Sequence, residues 1–228
     1  SGYDHETGEA LAALGADMLS VAERQSAALA KLGDHLLDGW GNVDAAGISA
    51  NALRDAALEK QHEVAESTVA AIWSQASAAS ADHPYLKRKG IQAHGARITG
   101  DGRLMVPLFD KDGTLCSLQY IAPKQDGGSD KKYHPGGEAG GKFWMVGSLD
   151  EPGVLYVAEG FATAATIHET TGRPCVVSYS ASSIVPVTGS LREMYGSSQD
   201  IVIVADHDKH GVGQKYADQA SAKYGVRV

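Results

Sequence analysis

Cysteine is nearly absent from this chain of 228 residues, which holds only Cys116 and Cys175. That excludes a disulfide framework and a four-cysteine zinc site. Long apolar runs are missing as well: none approaches the ~18 residues that a membrane span needs. No secretory leader is visible, so a reducing, cytoplasmic setting and no membrane partner are expected. Proline is absent from residues 1–81, which hold 21 alanines. Positive charge is in deficit, with Lys+Arg 20 against Asp+Glu 28 and a net charge of −8. Taken alone, that balance disfavours a nucleic-acid partner. What is present, 43% apolar and 21% charged residues, is ordinary globular composition and excludes a wholly disordered chain.

The Ala-rich segment reads as helical. Leu11, Leu14, Met18, Val21, Leu29, Leu32 and Leu36 follow three- and four-residue steps, which place them on one helix face. Gly39–Gly41 should end that helix. A second run from about Ala50 to Ala79 puts Leu53, Ala57, Val64, Thr68, Ile72 and Gln75 near one face. The pair predicts a helical hairpin over 1–81, read first as packing or spacer and second as a partner-binding arm.

After Pro84 the period becomes alternating. Residues 104–109 and 114–121 predict two strands joined by the turn Asp110-Lys111-Asp112-Gly113. The Gly- and Lys-rich stretch Asp126–Gly141 reads as a mobile loop. These elements form a small basic α+β unit over 82–150. From Gly153 short apolar strands alternate with helices: strands at 154–158, 175–179 and 201–205, helices at 162–171, near 189–195 and at 212–224. That pattern predicts a parallel sheet covered on both faces over 151–228. Val226–Val228 begins a fourth strand, so the domain is expected to be cut short at its C-terminus. The start at Ser1-Gly2, without Met, is expected of a chain released from a tag.

Two motif look-alikes fail on chemistry. Gly136…Gly141-Lys142-Phe143 nearly matches a phosphate-binding loop, but Phe143 stands where a hydroxyl must reach Mg²⁺. Asp206-His207-Asp208 nearly opens an EF-hand loop, but Ala217 stands where the bidentate Glu belongs. The acids themselves are more informative. Glu159 and the pair Asp206/Asp208 follow two predicted parallel strands, at the carboxyl ends where open parallel sheets bind ligands. In extended chain, residues two apart point the same way, so Asp206 and Asp208 can face one point. Three carboxylates gathered there repel one another unless a cation is present. Hard oxygen ligands suit Mg²⁺, or Mn²⁺, with substrate phosphates completing the shell. Helix capping explains one acid per loop but does not require the Asp-x-Asp spacing.

At Ala158-Glu159-Gly160-Phe161-Ala162-Thr163-Ala164 the sequence resembles the Toprim domain, and Ile201–Asp208 resembles that domain's second signature. The blocks His83-Pro84-Tyr85-Leu86-Lys87-Arg88-Lys89-Gly90-Ile91, Gly102–Leu108, Leu118–Ile121 and Lys132–Gly137 extend the resemblance over 83–228. Their order is similar to that in the Toprim primases of conjugative plasmids, integrative elements and phages. The resemblance implies an α/β fold: a Rossmann-like parallel Toprim sheet after a small α+β subdomain and an N-terminal helical hairpin. It implies a DNA primase core making short RNA primers from nucleoside triphosphates on single-stranded DNA, with a replicative helicase as a candidate partner. Glu159 would be the general base or hold metal, and Asp206 and Asp208 would bind Mg²⁺ or Mn²⁺. Phosphates would be held by Arg103, Lys132 and Lys142, with Lys87, Arg88 and Lys209 as further candidates. The chain departs from that pattern in carrying no zinc-binding module and in lacking Gly-Asn within Tyr179–Ile184. The alternatives are a Toprim-type metal-dependent nuclease and a non-catalytic replication-protein docking module. Split by region, the charge is −8 over 1–80, +3 over 81–149 and −3 over 150–228. The segment expected to hold phosphates is therefore basic.

Overall fold

A computed structural model describes residues 50–123, 129–206 and 211–228. The first predicted helix, near 11–36, lies outside the described residues. Helix α1 (Ala50–Gln75) is the second predicted helix and stops before Ala79. Its inward stripe is Ala65, Val69, Ile72 and Trp73, continued by Ala76; Ile72 is on it as expected, while Ala65, Val69 and Ala76 take the places expected of Val64, Thr68 and Gln75. Residues 51–60 are exposed throughout. The sequence set Leu53 on the packed face, yet it is 44% exposed.

The chain then builds a five-stranded antiparallel sheet: β1 (Ser77–Ala78), β2 (Arg97–Ile98), β3 (Leu104–Phe109), β4 (Leu115–Pro123) and β5 (Ser129–Tyr133), in that spatial order. The predicted β3–β4 hairpin is present. The expected loop over 126–141 is corrected at Ser129–Tyr133, which pairs along β4, Tyr133 opposite Gln119 and Lys131 opposite Ile121; residues 134–141 are turn and loop. Its Ser-Asp-Lys-Lys-Tyr sequence lacks an apolar alternation because it is an edge strand. Charged edges of this kind discourage further pairing.

A short helix α2 (Pro84–Lys89), absent from the alternating pattern read after Pro84, precedes β2. His83 caps it, its Nδ1 accepting from Tyr85 N at 3.2 Å, and Pro84 occupies the first turn, where no N–H is needed. Gly90 closes it in the left-handed region (φ 66°). Its buried Tyr85 and Leu86 reach the central core.

The second sheet holds β6 (Trp144–Val146), β7 (Leu155–Ala158), β8 (Cys175–Val177) and β9 (Ile201–Val204), in the order β6-β8-β7-β9. β7, β8 and β9 are parallel, as the sequence predicts, and β6 adds an antiparallel edge not foreseen there. Helices α3 (Phe161–Thr171), α4 (Ile184–Tyr195) and α5 (Val212–Tyr224) make the connections. α4 begins at Ile184, earlier than expected, because a 3₁₀ turn over Ala181–Ser183 runs into it. Arg227 bridges to Val202 in parallel, the start of the foreseen fourth strand.

The two sheets share one core. Leu104, Val106, Leu108 and Ile121 from the first pack with Ala158 and Val177 from the second and with Phe161 and Ala164 of α3. Each such side chain, fully buried, is worth about 1.5–3 kcal/mol when it is Val, Leu, Ile or Phe. The opposite face of the first sheet, Met105, Leu118 and Tyr120, packs on α1 through Val69, Ile72 and Trp73. No helix among the described residues is long and apolar enough to cross a membrane.

Candidate catalytic site

β7 and β9 are adjacent and parallel, with Ala158 opposite Val204. Their carboxyl ends therefore lie side by side, and Glu159 and Asp206 leave the sheet together. Both strands are apolar until that point, and each acid begins the turn into the next helix. Glu159 is half-buried and Asp206 exposed. Gly213, in the first turn of α5, presses on Asp206: a Cβ there would lie 2.8 Å from Asp206 O. Only glycine fits that approach, so the helix start and the acid are positioned as one piece. Asp208 and Lys209 lie outside the described residues.

The other half of the site comes from the first sheet. The pleat alternates side chains between faces. Lys131 pairs with Ile121, whose side chain is in the core shared with the second sheet, so Lys131 faces the acids. Its Nζ is 3.8 Å from where a Cβ on Gly160 would sit. Crowding by the surrounding protein pushes the Lys131 ammonium below the usual lysine range. Lys89 pushes it the same way, while Glu159 and Asp206 pull it back. Lys131 thus senses Lys89 from α2 and both acids from the second sheet. Tyr133, on the same face, donates from Oη to Tyr179 O at 3.2 Å. Burial raises its phenol pKa and Glu159 adds to the rise.

The other basic residues singled out in the sequence fall elsewhere. Lys132 pairs with Tyr120, on the face toward α1; its side chain is 73% exposed and sits 3.3 Å from Asp130. Arg103 shares that face, lying over the Tyr120 ring at 4.9 Å and bonded to Asp101 at 2.9 Å. Lys142 lies beside Glu138 at 2.8 Å. Burial works against its ammonium, but Glu138 outweighs this and holds the pKa above the usual lysine range. Lys87 pairs with Asp82 at 2.8 Å, and Arg88 sits over the Tyr85 ring at 5.5 Å. None of these five is brought to Glu159 and Asp206 by the contacts just described. Lys131 and Lys89 are the basic residues that sequence reasoning missed. The signal was strand parity: Lys131 and Tyr133 are two apart, but only if the segment is a strand. His134, between them and the glycines, is structural. It lies 3.0 Å from Tyr120 Oη, and burial pushes it down to about 4.

The donor set fits a hard divalent cation. Two carboxylates converge from neighbouring strand ends, and Mg²⁺ is usually held by one or two carboxylates plus phosphate oxygens. Among the described residues no group of three ligands is complete. The cysteines take no part: both are buried, and desolvation pushes each thiol up to about 12.

Strand ends carrying paired acids, beside a sheet carrying lysines, define a recognised class. A family model for the Toprim domain matches residues 154–225, and that segment is a Toprim domain. Beyond it, the chain is similar to two curated proteins named DNA primase TraC from Escherichia coli. It is 28% identical to one over 156 residues and 29% identical to the other over 157. Those matches cover 66% and 64% of this chain but only 14% and 10% of the relatives' length. Among solved structures it is similar to the primase fragment of the bacteriophage T7 primase-helicase protein, at 19% identity and a TM-score of 0.45, covering 63% of each chain. It is also similar to the DnaG catalytic core, at 14% identity and a TM-score of 0.43, covering 72% of this chain and 66% of that one. The sequence resemblance to Toprim-domain DNA primases stands.

Proposed function

We propose that this chain is the catalytic core of a DNA primase that makes short RNA primers on single-stranded DNA, serving replication of a mobile element or phage in the cytoplasm. The observation that carries the reading is the convergence of Glu159 and Asp206, at adjacent parallel strand ends, on Lys131 of β5, with Lys89 at the end of α2 beside that lysine. The similarity to proteins named as DNA primases supports it. Asp206 and Asp208 would hold Mg²⁺ or Mn²⁺, and Glu159 would accept the proton of the attacking 3′-hydroxyl or share the metal. A bound cation would neutralise phosphate charge and help align the hydroxyl with the α-phosphorus. Lys131 and Lys89 would receive the phosphate chain of the nucleoside triphosphate. Arg103, Lys132, Lys142, Lys87, Arg88 and Lys209 would contact template or product further from the metal. A replicative helicase is the natural partner for such an activity.

The test is primer synthesis by the full-length protein, on single-stranded DNA with nucleoside triphosphates and Mg²⁺. Primers that vanish on Asp206→Asn or Glu159→Gln support the reading; primers unaffected by both overturn it. Cleavage of DNA with metal but without nucleotides would instead identify a nuclease. The docking alternative is tested by deleting residues 1–49, since α1 packs on the sheet through Val69 and Trp73 and belongs with it.

A further inference from the structure

Tyr179 is bound into the molecule more tightly than a residue just past the end of a strand needs to be. It follows β8 and takes a left-handed backbone conformation, φ 67°. Among the described residues only His94 shares that feature outside glycine. The conformation is unfavourable for a bulky side chain and persists only where surrounding contacts fix it. The residue is 8% exposed. Just before it, Ser178 N donates to Ala158 O at 2.9 Å, tying the segment to the residue that precedes Glu159.

The partners of Tyr179 lie on the other sheet. Its Oη donates to Pro107 O in β3. β2 pairs with β3 only as far as Met105, and Phe109 exchanges two bonds with Phe143 on that same side. Pro107, two residues from each, therefore turns its carbonyl into the gap between them. Proline has no N–H to leave unpaired there, and the Tyr179 hydroxyl supplies the donor its carbonyl lacks. At the other end of the residue, Tyr179 O accepts from Tyr133 Oη, and the two rings meet edge to face at 6.5 Å. Tyr133 lies two residues from Lys131, on the same face of β5.

We propose that Tyr179 is a positioning residue: braced on Pro107 and holding Tyr133, it sets β5 so that Lys131 stands against Glu159 and Asp206. The consequence for nucleotide binding rests on the primase reading, but the placement of Lys131 does not.

A zero-length carbodiimide cross-link, read by peptide mass spectrometry on this chain, tests the placement directly. The native protein should yield Lys131 joined to Glu159 or Asp206. It should also yield Lys111 joined to Glu193, a second contact between the two sheet units, at 2.5 Å. Tyr179→Phe removes the hydroxyl and keeps the ring. The proposal expects the Lys131 cross-link to fall several-fold while the Lys111–Glu193 cross-link is kept. Both kept overturns it. Both lost also overturns it, because Tyr179 would then merely dock the two units. Should Tyr179→Phe fail to fold, Tyr133→Phe breaks the Tyr133–Tyr179 bond, together with the hydroxyl's contact to Gln119 within the first sheet, and must show the same selective loss. The readout needs no catalysis, so absence of primer synthesis sinks the primase reading and leaves this proposal standing. An unchanged cross-link in an active enzyme does the reverse.

Discussion

The two faces of the five-stranded sheet carry similar residues and do different work. One face meets the Toprim sheet and brings Lys131 and Tyr133 toward Glu159 and Asp206. The other meets α1, and there Arg103 lies over Tyr120, which in turn faces His134. Lys131 and Lys132 are chain neighbours, yet the pleat sends one to the acids and the other to solvent beside Asp130. Lysine content does not decide which basic residue reaches the site; register against β4 does.

The largest effect is expected when the acids that define the first face are removed. Glu159→Gln and Asp206→Asn are each expected to lower primer synthesis by the full-length protein by about 10²–10⁴-fold. The melting temperature should hardly move, since Glu159 is half-buried and Asp206 exposed. Next in size is Lys131→Gln, expected to lower synthesis by roughly 10–100-fold, as loss of one charged hydrogen-bond donor of about 1.5–3 kcal/mol allows. A rise in the apparent KM for nucleotide in a steady-state assay would check it.

The second face should respond in stability. His134 has an ordinary value of 6.5 but is held near 4 in the fold by burial. Below about pH 6.5 the unfolded chain takes up a proton that the folded chain refuses. The stabilisation is therefore complete above pH 6.5 and is lost as pH falls toward 4. Its share is about 3 kcal/mol, measurable by urea unfolding across that window and reduced in slope in His134→Asn. Gly213→Ala should cost about 1–3 kcal/mol by crowding Asp206 O, and should weaken Mn²⁺ binding followed by paramagnetic resonance. The smallest effect is expected for Lys132→Ala, under about 1 kcal/mol in stability and within about twofold in synthesis, as its exposed pairing with Asp130 implies. A large loss at Lys132 beside a small one at Lys131 would reverse the assignment of the two faces.

Much of the Toprim half was readable in the chain. Ile201–Val204 and Leu155–Ala158 are short apolar runs closed by acids, and α5 runs from Val212 to Tyr224 as its pattern predicts. Such strands are buried on both sides, so composition alone marks them. β5 and β6 were not readable. Both sit at sheet edges, where one side of the ladder is unpaired and the sequence carries little periodic signal. The stripe of α1 was right at Ile72 but one position early at Val64, Thr68 and Gln75, because alanine fills both faces and gives the period little contrast.

By itself, then, the sequence determined the parallel strands, the acids at their ends and a basic segment before them. These follow from local apolar runs and from charge, which need no partner to be seen. The tertiary structure decided which lysine meets which acid. That choice depends on the register of β5 against β4, on a glycine pressed against Asp206, and on Tyr179 reaching Pro107 across 72 residues of chain. Contacts of that kind exist only once the two sheets have packed, because a side chain's direction is fixed by its neighbours across the sheet rather than by its neighbours in sequence.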